Sequence, residues 1–172
     1  MFSFLVKTII ISISGALAPG PLTAATASYG LRSGWRAGLE VSLGHTIVEL
    51  PLVLVISAGV LVFLQKPLTN YILSLIGGLF LIFFGLMTFR DALKVQKIVN
   101  KRTGRIPVPF LTGIVLSAFN PYFIAWWIGI GAPLISEAVR LAGFFGIFIF
   151  YFAHVWLDYA WLISVASVSA LG

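Results

Sequence analysis

The chain has 172 residues, of which 60% are hydrophobic and only 9% charged, with a formal net charge of +6 and a mean hydropathy of +1.08. About a quarter of the residues of a soluble domain are charged, and apolar runs beyond ~18 residues recur here, so a soluble globular domain is excluded. The lack of cysteine excludes disulfides and thiolate metal sites, and cations confined to short loops between apolar segments argue for a membrane protein and against a nucleic-acid partner.

Five apolar segments follow in order: Phe2–Tyr29, Leu39–Leu64, Tyr71–Phe89, Pro109–Ile135 and Leu141–Ala170. Each nears or exceeds the ~20 residues a helix needs to cross ~30 Å of hydrocarbon. None shows the alternation of a lipid-facing barrel strand. The pattern predicts an all-α integral membrane protein, residues 1–172, with five transmembrane helices in one polytopic domain. Lys7, the apolar run to Ile13 and the small residues up to Ala18 have the outline of a signal peptide. The apolar character resumes past Pro21, however, and the topology needs a first span there.

The first segment is interrupted by Pro19-Gly20-Pro21. Proline removes a backbone donor and clashes with the preceding turn, and in a membrane such breaks survive where other groups satisfy the freed carbonyls. Arg32 and Arg36 follow. The second segment carries His45, Glu49 and Pro51, the last read as a packing kink. Gly30, Gly34, Gly38 and Gly44 before and within it, and Gly77, Gly78 and Gly85 in the third segment, read as points of close helix packing. Six cations, Arg90, Lys94, Lys97, Lys101, Arg102 and Arg105, then fill one loop. Asn120-Pro121 interrupts the fourth segment, and the fifth carries His154 and Asp158. Trp126, Trp127, Trp156 and Trp161 read as interfacial or packing residues. Eight cations lie in the 29–38 and 90–107 loops, against Lys7, Lys66 and Arg140 on the other side. The positive-inside rule places those two loops in the cytoplasm and the N-terminus outside.

The two halves match. Segments one and four have proline breaks, and segments two and five each set a histidine four residues before a carboxylate. This is the plan of an inverted repeat of three helices, as in many secondary transporters. The first repeat covers about 1–90 and the second, incomplete, about 108–172, because a sixth helix is absent before Gly172. Residues four apart share a helix face, so His45 lies over Glu49 and His154 over Asp158. At ~1.5 Å per residue Glu49 sits roughly 15 Å into its span, and Asp158 lies nearer the cytoplasmic end of its own. A charge at a helix centre costs on the order of 2.5–3.5 kcal/mol. Such groups are candidates for binding a cation or handling protons. The structural alternative is hydrogen bonding that only holds helices together. Two histidines and two carboxylates also suit a mixed N/O site for Zn²⁺ or Mn²⁺. No nucleophile–base pair and no P-loop suggests an enzyme, and nothing calls for a cofactor.

In order along the chain, Ala18-Pro19-Gly20-Pro21, the Gly- and Arg-rich run Gly30–Gly38, Gly77–Gly85 and Phe119-Asn120-Pro121 resemble the lysine-exporter (LysE/RhtB-type) family of amino-acid exporters. Two positions depart from that pattern. His45 follows Gly44 where the family often has an acid, and Tyr122 follows Pro121 where it often has lysine. The resemblance implies export of amino acids driven by an ion gradient, through paired subunits (a homodimer). The expectation is a proton-coupled secondary transporter in the cytoplasmic (plasma) membrane, exporting amino acids or related small cationic metabolites. Its site would comprise Pro19, Gly20, Pro21, His45, Glu49, Asn120, Pro121, His154 and Asp158. The wider superfamily also includes exporters of divalent metals, so a metal exporter using His45, Glu49, His154 and Asp158 is the first alternative, and a non-transporting membrane scaffold the second.

Overall fold

The structure, a computed structural model, describes residues 1–63, 71, 75, 79, 82, 86 and 108–171. The expected third span lies outside the described residues except at Tyr71, Leu75, Leu79, Ile82 and Leu86, which are helical and exposed. The basic 90–107 loop lies wholly outside them.

The described residues are helical throughout, with short breaks and no strand. Helix α1 (Phe2–Ala16) and α2 (Pro21–Ser33) meet at a 75° bend. Pro21 occupies the first turn of α2, where its missing N–H costs nothing. The break anticipated at Pro19-Gly20-Pro21 is therefore real. Helix α3 (Trp35–Phe63) contains Pro51 without ending there. Helix α4 (Pro109–Ala118) stops before Asn120, whose side chain accepts a hydrogen bond from the Tyr122 amide to cap α5 (Pro121–Trp126). A π-helical turn (Trp127–Gly131) joins α5 to α6 (Ala132–Ser169). Among the described residues, two helices are long and apolar enough to cross a membrane, or three if the bent α1–α2 pair counts as one span.

Two connections differ from their sequence expectation. The 29–38 loop is a single-residue turn, since α2 ends at Ser33 and α3 starts at Trp35. The 136–140 connection is helical, and the chain turns instead at Ala142–Gly143 inside α6. Both turns use one glycine of nearly identical conformation, Gly34 (φ 58°, ψ −147°) and Gly143 (φ 58°, ψ −144°). Side chains with a Cβ are essentially barred from that region, so each glycine reverses the chain where other residues need a loop.

The halves interlock. From the first half, α1 and α3 pack on α6, and from the second half α4 packs on α3. Glycine allows this proximity, as the sequence suggested. A Cβ on Gly44 would strike the Phe110 carbonyl, one on Gly113 the Val41 carbonyl, and one on Gly30 the Ala166 carbonyl. Phe4, Val53, Trp126, Trp127, Ile135 and Phe150 form the apolar core between the helices.

Candidate functional site

Ser12 on α1, His45 and Glu49 on α3, Ser117 on α4 and His154 and Asp158 on α6 are all buried. They form one connected cluster. His154 Nε2 lies 3.1 Å from Glu49 Oε1 and 3.5 Å from Asp158 Oδ2, and His45 Nε2 lies 3.3 Å from the same Glu49 oxygen. The two histidine–acid steps match in register along their helices. Helix α6 turns at Gly143, so Asp158 stands fifteen residues past its turn glycine, as Glu49 does past Gly34.

Each histidine is completed by a serine from the other half. His45 Nδ1 meets Ser117 Oγ at 2.7 Å, and His154 Nδ1 meets Ser12 Oγ at 2.8 Å. The two are not equivalent. Ser117 gives its single proton to the Gly113 carbonyl (2.6 Å), so it accepts from His45 Nδ1–H. A neutral His45 then turns the bare Nε2 lone pair toward Glu49. The Ser12 hydroxyl makes no other hydrogen bond among the described residues. With Glu49 ionised, Ser12 donates to His154 Nδ1 and His154 Nε2–H donates to Glu49. Proton placement here follows from the hydrogen-bond network.

Aromatic rings wall the cluster. Trp126 stacks on His154 at 5.1 Å, Trp127 meets the same ring edge-on at 5.0 Å, and Phe123 meets His45 at 5.1 Å. Trp126 Nε1 donates to Ser14 Oγ and the Tyr122 hydroxyl to the Ser14 carbonyl, which ties α5 to the end of α1. The two tryptophans are thus packing residues buried at the cluster and not at a membrane interface. Trp156 is half exposed, as an interfacial residue would be.

A cleft opens between the two helix breaks. It is lined by Ala18, Pro19, Gly20, Thr23, Asn120 and Tyr122 at its sides and by His45, Glu49, His154 and Asp158 beneath. Its volume is about 70 Å³. One water needs roughly 10–15 Å³ of such volume, so a small polar solute fits. Seven of the nine expected site residues line this cleft. Pro21 and Pro121 do not, and serve as first-turn residues of α2 and α5. Sequence reasoning missed Ser12 and Ser117, which carry no local signal, and gave no site role to Trp126 and Trp127. Their place five and six residues after Pro121, one helix turn and a half beyond the break, was the available clue.

The family model of the LysE type translocators matches residues 13–171. The chain belongs to the LysE type translocator family. The chain is similar to the "Putative amino acid efflux protein YcgF" of Bacillus subtilis (strain 168), with 26% identity over 135 residues. That match covers 77% of the chain but 64% of the relative, so the chain spans somewhat less than two thirds of its length. No solved structure matches. Family, apolar helices and helical fold together make this LysE type translocator a multi-pass membrane protein of all-α architecture.

Proposed function

We propose that this LysE type translocator is a secondary exporter. It carries amino acids or related small cationic metabolites out across the cytoplasmic membrane in exchange for protons, with no covalent chemistry. The observation that supports this reading most is Glu49. It is 1% exposed, contacted by both histidines, and lies beneath a cleft set between two helix breaks. A buried carboxylate in hydrocarbon is costly unless a positive partner or a proton offsets it. A substrate ammonium and a proton offer the same compensation and exclude one another at one oxygen. That exclusion is the elementary requirement of an exchanger. Trp126 and Trp127 beside the cluster add ring faces that attract a cation. The breaks after α1 and α4 bring Ala18, Gly20 and Asn120 to the cleft wall, where backbone and amide groups can meet the rest of the substrate. In this reading the N-terminus is outside, and the Gly34 turn and the basic loop face the cytoplasm.

The test is transport by the purified protein in proteoliposomes, over a panel of amino acids, with and without a proton gradient. Glu49→Gln and Asp158→Asn are expected to slow gradient-driven export by roughly tenfold or more, the effect of ~1.4 kcal/mol in a barrier. Unchanged export in both variants sinks this mechanism.

A further inference from the structure

We propose that His45, Glu49 and Asp158 form a binding site for one divalent transition-metal ion, with a further coordination position open to the cleft. One ligand atom from each lies within 4.8 Å of the other two. Metal–ligand bonds of ~2.0–2.2 Å set tetrahedral ligands of one ion about 3.3–3.6 Å apart, so side-chain shifts of about 1 Å close the set. The orientation of His45 is that of a ligand. Its Nδ1–H is handed to Ser117, and metal-binding histidines characteristically give the second ring N–H to an acceptor, which points the other lone pair at the ion.

The carboxylates supply the independent evidence. Among the described residues, Glu49 Oε2 and Asp158 Oδ2 are buried without a hydrogen bond of good geometry; the Tyr151 hydroxyl lies beside Glu49 and His154 Nε2 stands 3.5 Å from Asp158 Oδ2, and both carboxylates line the cleft. With His45 neutral and protonated at Nδ1, its Nε2 and Glu49 Oε1 are two acceptors 3.3 Å apart, and either a proton or a metal ion between them relieves the repulsion. Two carboxylates and a neutral imidazole carry a charge of −2, which a divalent ion cancels where uncompensated charge is most expensive. His154 holds Glu49 from the opposite side through Nε2 and orients it as an outer partner. The donor set of one imidazole and two carboxylates, with no thiolate, suits Zn²⁺, Co²⁺ or Mn²⁺ above Cu⁺ or Ca²⁺. The ion would occupy the carboxylates that export needs, so metal blocks export. That last step alone rests on the proposed transport function.

The probe is Co²⁺, titrated into the purified protein in detergent and followed by its visible absorption, with Zn²⁺ as competitor. One ion per chain is expected. His45→Gln and Asp158→Asn should abolish the band, and Ser117→Ala should weaken affinity by about 10–100-fold, the usual cost of losing an outer partner. Lack of saturable binding overturns the site, and so does a band unchanged in His45→Gln and Asp158→Asn. If those two fail to fold, Ser117→Ala, which removes only a hydroxyl, decides in the same way. Export in vesicles is measured separately. Stoichiometric metal binding by a protein that does not export even when metal-free overturns the transport reading alone, whereas intact export with no metal binding overturns this site alone.

Discussion

At the scale of single residues, Glu49 is the hub, and its partners come from two helices and both halves of the chain. Removing one member of a buried charged set leaves the rest uncompensated, at about 3–5 kcal/mol. His154→Ala should therefore lower the thermal midpoint in detergent sharply, and also remove the ring on which Trp126 stacks. Replacing the whole set (His45, Glu49, His154 and Asp158) by apolar residues of similar volume should restore most of that stability, since a buried ion cluster is often no better than well-packed hydrocarbon. Transport should not return. A fully apolar variant that still transports would show that the cluster only glues helices together. The pair of histidine–acid steps was legible in sequence because helix geometry alone sets i and i+4 on one face. Ser12 and Ser117 were not. A serine in an apolar helix commonly bonds back to its own turn, as Ser117 does to Gly113, and its second partner exists only once the helices meet.

At the scale of elements, the breaks carry the architecture. Those at Pro19–Pro21 and Asn120–Pro121 were readable because proline acts through local sterics. The turns at Gly34 and Gly143 were not, since one glycine in a loop-like sequence does not announce that it replaces the loop. That error displaced the starts of the two helices that carry the histidine–acid steps. Gly34→Ala and Gly143→Ala should each cost about 1–3 kcal/mol, because the φ/ψ values at both sites lie where a Cβ is barred. Gly59→Ala is the control, since a Cβ there meets nothing within 4 Å. Thermal unfolding of the three variants checks this, and equal midpoints would refute it. The close approach of α3 and α4 at Gly44 and Gly113 predicts a further loss. Gly44→Ala should cost about 1–3 kcal/mol by overpacking, read from the same unfolding curves.

At the scale of the whole molecule, composition and the length of the apolar runs were enough for membrane class and helical fold, and the ordered motifs for the family. The interlocking of the halves was out of reach, because uniformly apolar helices do not encode which faces meet. Sidedness can be tested directly, as the chain has no cysteine. Ser3→Cys should react with a membrane-impermeant maleimide on intact cells, and Ser33→Cys only after the cytoplasmic side is opened. The opposite pattern would invert the proposed direction of the molecule.

The interlocking also constrains how the protein is made. His154 is synthesised 105 residues after Glu49, a delay of roughly 5–20 s at ribosomal speeds of about 5–20 residues per second. Throughout that interval Glu49 enters the bilayer with His45, one turn away on its own helix, as its partner within the cluster. The local step thus shields the nascent chain before it serves the finished one. Loss of His45 should therefore show first as poor membrane insertion during biogenesis.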